Sequence, residues 1–129
     1  MPLTVTVDKK RALVITHGAG VVTVDDIARA RAQLRANPDF DPSFYELFDL
    51  REVAEARITG AEMARIAASS VLGPGVCRAF IVGNQKQHGL ARMFSSLAAP
   101  HDQRVDIFRD AAVAEAWLAS RREAAARQR

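Results

Sequence analysis

FDLREVAEARITGAEMARI, residues Phe48–Ile66, carries two elements and the joint between them. It begins as the end of an apolar strand, Tyr45–Leu50 (YELFDL), which breaks around Asp49. The pattern restarts at Thr59-Gly60 as a helix with Met63, Ile66 and Ala67 on one face. Thr59-Gly60-Ala61-Glu62 fits a capping box, in which the Thr hydroxyl and the Glu carboxylate satisfy backbone N–H groups that have no partner at a helix start. Strand, turn and capped helix set a helix N-terminus at the carboxyl edge of a sheet, a place suited to an anion or a phosphate.

Working outward, the same alternation of elements repeats. Leu3, Val5 and Val7 alternate with Thr, Asp8-Lys9-Lys10 turns the chain, and Arg11–His17 supplies a second apolar run, so the two read as a hairpin. Gly18-Ala19-Gly20 is expected to end that strand. Thr23 then caps a helix with Asp25 and Asp26 in its first turn, a stripe of Ile27, Ala30 and Leu34, and a stop at Asn37-Pro38. Beyond the Thr59-capped helix, Gly73-Pro74-Gly75 leads into a strand over Arg78–Gly83 that is apolar on both faces, as a central strand between helix layers would be. Asn84–Gln87 precedes a helix with Leu90, Met93, Phe94 and Leu97 at helical spacing. A short strand over Arg104–Phe108 leads to Asp110, the cap of a last helix expected to bury Val113, Ala116 and Trp117. One strand followed by four strand–helix units predicts a single α/β domain. Its five-stranded, mostly parallel sheet has an antiparallel start and carries four helices.

Charge and cysteine narrow the function classes. The sequence pI is about 9.6 and the net charge +3, yet the last nine residues, RREAAARQR, hold four Arg and one Glu. Residues 1–120 therefore balance 14 basic against 14 acidic side chains, and a neutral body argues against a surface that tracks nucleic-acid phosphates. The expected organisation is a domain over 1–120 and an Arg-rich helix end or tail over 121–129. The single cysteine, Cys77, cannot pair internally and reads as a small buried filler in a reducing compartment. No apolar run reaches the ~20 residues of a membrane span, and MPLTVTVDKK lacks a signal-peptide pattern. The expected location is the cytoplasm.

With the elements placed, a resemblance emerges. FDLREV followed by Thr59-Gly60 at the start of the second helix resembles STAS domains, the anti-sigma-factor-antagonist fold, in which a strand ends in Asp-Leu and a later Asp-Ser-Ser-Gly turn begins the helix. Asp49-Leu50 and Ile58-Thr59-Gly60 stand at matching spacing. GLARMF (Gly89–Phe94), VDIFRD (Val105–Asp110) and Ala116-Trp117-Leu118 are similar to the bacterial SpoIIAA-like branch. The resemblance runs from Leu3 to about Ala119 and implies a non-catalytic regulatory or protein-interaction module, with a protein partner or a second copy of itself. In the antagonists the second serine of the turn is phosphorylated, and that position falls on Thr59. The acidic residue and first serine of the turn stand here as Arg57 and Ile58. Thr59, Gly60 and Arg57 are thus the candidate phospho-acceptor or anion site, and a plain helix cap is the alternative use of Thr59.

The same branch is compared with CRAL–TRIO lipid-transfer domains, which implies a second function, a small carrier of a hydrophobic or lipid-like ligand under a mobile helix. The candidate cover is the helix bearing Leu90, Met93, Phe94 and Leu97, although a stripe of this kind commonly serves as core, and in 129 residues a lipid-sized cavity would remove much of that core. His17, His88 and His101 share no metal-ligand spacing. Gly83–Gly89 matches neither GxxxxGK[ST] nor GxGxxG. Neither catalytic residues nor a cofactor or metal are expected, and the protein is read as a binding module and not an enzyme.

Overall fold

The computed structural model describes residues 2–128. Met1 and Arg129, which open the expected domain and close the Arg-rich end, lie outside the described residues. Strand β1 (Leu3–Asp8) turns into β2 (Leu13–Thr23). The Asp8 carboxylate holds the turn by accepting from the Arg11 backbone N–H at 3.1 Å and from Arg11 Nε at 2.8 Å. Then follow α1 (Val24–Ala36), β3 (Tyr45–Arg57), α2 (Gly60–Ala68), β4 (Cys77–Ile81) and α3 (Gln85–Ala98). A 3₁₀ turn (Ala99–His101) leads to β5 (Arg104–Phe108) and α4 (Ala111–Arg127). The strands lie in chain order, β1 antiparallel to β2 and β2 to β5 mutually parallel. This is the single α/β domain expected, with RAFIVG inside the sheet.

Strand alternation divides the core in two. Tyr45 and Leu47 of β3 and Cys77, Ala79 and Ile81 of β4 pack with Ala114 and Leu118 of α4. Phe48 and Leu50 of β3 and Phe80 of β4 face the opposite way, toward α1, α2 and α3, with Met63, Ala67, Ala91 and Phe94. Cys77 is buried, and burial together with the adjacent Cys77 thiol pushes the Tyr45 phenol above its ordinary value.

The caps at Thr23, Thr59 and Asp110 sit where the sequence puts them. The strand ends differ. β2 does not stop at His17 but runs through Gly18-Ala19-Gly20 to Thr23, paired with β3 out to Thr23↔Arg57. The register shifts at His17/Ala19 and Gly20/Val21 mark bulges, and glycine serves them in two ways. Gly20 takes a left-handed φ of 68°, and a Cβ at Gly18 would stand 2.7 Å from Val53 Cγ2. β3 likewise continues past Leu50 to Arg57, because the extended β2 supplies its hydrogen-bond partners.

Two helix faces also differ from their sequence patterns. In α4 the buried residues are Ala114 and Leu118, while Ala116 is exposed, Trp117 is half-buried and Val113 is 57% exposed. The Ala-rich helix gives no strong contrast between faces, so the contacts with β4 and β5 choose its face. In α3 the buried residues are Gln87, Ala91, Phe94 and Ala98. Leu90 and Leu97 are half-buried, and Met93 is exposed.

Gln87 explains that rotation. Its amide donates to Val53 O at 2.9 Å and to Arg51 O at 3.1 Å, and its carbonyl oxygen accepts from Gly83 N–H at 2.7 Å. β4 ends at Ile81 while β3 continues, so these β3 carbonyls have lost their strand partner. A side-chain amide replaces it, which fixes the face that α3 turns to the sheet.

Candidate functional site

Under α2 lies a cavity of about 120 Å³, walled by one face of the sheet and by α1, α2 and α3. α1 packs on β1 and β2, α3 on β5 and β3, and α2 leans chiefly on α3 while Met63 and Ala67 join the core on the sheet face. The space beneath α2 is lined by Phe48, Leu50 and Val53 of β3, by Met63 and Ile66 of α2, and by Ile27 and Ala30 of α1. Leu90 and Phe94 of α3 close one side.

One end of this apolar space is charged. Glu46 and Arg78, the second residues of β3 and β4, are cross-strand partners. Arg78 reaches Glu46 Oε1 through Nε at 2.9 Å and through its terminal nitrogen at 2.8 Å, and Thr16 donates its hydroxyl to Glu46 Oε2 at 2.8 Å. The Arg78 guanidinium also lies 4.8 Å from the Phe94 ring centre and 5.6 Å from that of Phe80, and these two rings stack at 5.5 Å. Gln103 sits beside it and donates to Gly73 O at 2.8 Å, which ties the loop after α2 to this end.

A second guanidinium borders the same space. Arg31 of α1 donates to Ile66 O at 2.7 Å, to Ser69 O at 2.9 Å and to Ser69 Oγ at 3.0 Å, stapling α1 to the C-terminal end of α2. Burial, and then the nearby Arg78, push its pKa down to about 10, so it remains charged at neutral pH. Among the described residues it forms no ion pair. Two arginines and one glutamate therefore border the cavity, an excess of one positive charge beside an otherwise apolar surface.

The residues singled out from the sequence lie elsewhere or divide. Thr59 Oγ1 accepts from Glu62 N–H at 3.1 Å, and the Thr59 N–H donates to Glu62 Oε1 at 2.8 Å, so the capping box is closed on itself. A carboxylate thus already stands at the N-terminus of α2. Arg57 turns back along its own strand to Glu55, at 3.3 Å, and Gly60 is exposed. Ile58 lines the far end of the cavity. Of the four α3 residues, Leu90 and Phe94 line the cavity, whereas Met93 lies over a shallow surface depression and Leu97 packs into the adjoining core. The His17–Glu52 and Asp49–Arg51 pairs occupy the carboxyl edge of the sheet. Among the described residues no group of three His, Cys, Asp or Glu could hold a metal, and no helix is long and apolar enough to cross a membrane.

Glu46, Arg78, Thr16 and Arg31 were not evident from the sequence. The one signal was a charge placed second in each of two apolar runs, YELFDL and CRAFI. Opposite charges at equivalent positions of neighbouring strands pair once the register is known.

With this geometry in hand, one solved structure is informative. It is the crystal structure of an uncharacterized protein of the DUF3478 family from Shewanella loihica PV-4, described as having a SpoIIAA-like fold. It superposes with a TM-score of 0.60 over 90% of this chain and 91% of that one, at 15% identity. The fold is SpoIIAA-like. At that identity the likeness is one of architecture, as the resemblance of FDLREV and GLARMF implied. No protein-family model matches the chain, and no curated protein matches it.

Proposed function

We propose that this SpoIIAA-like domain is a non-catalytic binding module whose cavity takes a small, largely apolar ligand. The observation that carries the reading is the cavity itself. About 120 Å³ lined mostly by apolar side chains from the sheet and three helices is left unfilled, and a partly enclosed apolar space of this kind suits a small apolar guest. An engineered apolar cavity of ~150 Å³ holds benzene, so the ligand is about six carbons in size and not a full lipid. This is the hydrophobic-carrier reading of the sequence in a smaller form, with α1, α2 and α3 together covering the space.

A regulatory protein-interaction role fits the fold, but the surface offers it less support. Among the described residues the large exposed apolar side chains are Val21, Met93 and Val113, on three different elements. Isolated exposed residues of this kind are ordinary on a monomer. Thr59 as a phospho-acceptor rests on its position in the turn and on its exposed hydroxyl.

The test is a titration with 1-hexanol followed by methyl NMR. Shifts should concentrate on Ile27, Ile66 and Leu90. Ala30→Leu, which pushes a larger side chain into the space, should keep the fold and abolish those shifts. Absence of saturable shifts in the wild-type protein would overturn the reading.

A further inference from the structure

The cavity is apolar along most of its length, yet its polar residues are joined to one another. Thr16 bonds Glu46, Glu46 bonds Arg78, and Arg78 and Ser70 both approach Gln103 Oε1 at 3.5 Å. All of this lies at the amino ends of β3 and β4, whereas Leu50, Val53 and Ile58 line the space toward the carboxyl end. The cavity is thus amphipathic along its axis.

The charges at that end do not cancel. Glu46 is bound by Arg78 and Thr16 and neutralises one guanidinium. Arg31 is met by a hydroxyl and by two carbonyl oxygens at the C-terminal end of α2, while the Glu46 charge, already paired with Arg78, acts on it only from a distance. Two guanidinium groups that share one carboxylate leave a net positive charge at a part-buried site, and a bound anion would offset it. Arginine is also suited to the task, since its planar fork matches a carboxylate in a bidentate pair.

We infer that the ligand of this cavity is a small apolar monocarboxylate, its chain under α2 and its carboxylate at the Arg31–Arg78 end. The inference rests on the binding reading above and adds the head group. Size excludes a membrane lipid as the source, because about 120 Å³ has no room for long chains or a phosphodiester. Burial and then the Arg78 charge lower the Arg31 pKa by more than Glu46 raises it, in keeping with a net positive end.

Three probes of one chain length separate the head group from the chain: hexanoate, 1-hexanol and hexylamine, each titrated into the full chain by calorimetry and methyl NMR. Charge-assisted hydrogen bonds predict that hexanoate binds about tenfold more tightly than hexanol, with hexylamine weakest. Arg31→Met keeps the aliphatic stem and should reduce the hexanoate preference to about unity while hexanol still binds. Arg31→Lys should restore part of it. Hexanol binding as tightly as hexanoate in the wild-type protein would overturn the head-group inference alone. Binding of neither would overturn it together with the cavity reading. Because the wild-type comparison uses no variant, a folding defect in Arg31→Met cannot hide the result.

Discussion

Glu46 and Arg78 stand opposite each other on β3 and β4 and form an ion pair with both side chains under a tenth exposed. The same pair forms the buried, polar end of the cavity. Thr16 takes the remaining carboxylate oxygen, and the aromatic faces of Phe80 and Phe94 cover the guanidinium. That enclosure has a direct consequence for stability.

Removing one partner should cost much more than removing both. Glu46→Leu leaves a buried guanidinium uncompensated and is expected to lose about 3–5 kcal/mol. The double change Glu46→Leu, Arg78→Met, which restores an apolar environment, should recover most of the loss. Urea unfolding of the two single variants and the double variant reads the cycle, and equal losses in single and double variants would count against a coupled pair.

Gln87 should behave as a structural amide and not as a surface residue. Gln87→Leu retains the bulk but leaves Gly83 N–H, Arg51 O and Val53 O without their partner. A loss of about 2–4 kcal/mol is expected, since each buried group left unpaired costs on the order of 1–3 kcal/mol and some will find water. A change within about 0.5 kcal/mol would mean that solvent already serves these groups.

Thr59 separates a cap from an anion site. Thr59→Ala should lose about 1 kcal/mol, while Thr59→Ser and Thr59→Asp should keep most of the stability. Since the Glu62 carboxylate already occupies the N-terminus of α2, a phosphate titration should leave the amide signals of Gly60, Ala61 and Glu62 flat. Arg57→Ala should not alter that result. A saturable shift in the wild-type protein that disappears in Arg57→Ala would establish an anion site.

The two capping boxes should make the fold sensitive to acid. Glu62 is held below its ordinary pKa chiefly by the Thr59 backbone N–H, and Asp26 likewise by that of Thr23. A carboxyl with a depressed folded-state pKa stabilises the fold above its unfolded value and loses that effect as pH falls through the folded one. The contribution is therefore complete at neutral pH and fades below about pH 4. In Glu62→Gln, Asp26→Asn the melting temperature should fall less between about pH 7 and pH 3 than in the wild-type protein. An unchanged acid dependence would place it in other carboxylates.

The Arg-rich end should matter to stability. Of the two options, helix end or tail, α4 takes the first by continuing to Arg127, and the Arg122 guanidinium lies 5.5 Å from the Tyr45 ring centre. Removal of residues from Arg121 onward should lower the melting temperature by about 3–5 °C, in line with roughly 1 kcal/mol from the lost contact. No change would mean that this end is as independent as its composition suggests.

Much of this protein could be read locally. Thr23, Thr59 and Asp110 announce helix starts through bonds that close within three residues, and the apolar runs between them announce strands. Together they determine five strands, four helices and a mostly parallel sheet, because alternation of strand and helix leaves few other ways to bury both periodicities. The sequence alone could not reveal that Gly18–Gly20 continue β2 as bulges, since only the approach of Val53 and the length of β3 make them part of a strand. Nor could it show which faces α3 and α4 turn inward. The Glu46–Arg78 pair and the cavity beneath α2 were decided by tertiary structure for the same physical reason. Both depend on the register between strands some thirty residues apart and on how three helices seat on one face of the sheet, and neither is encoded in local periodicity.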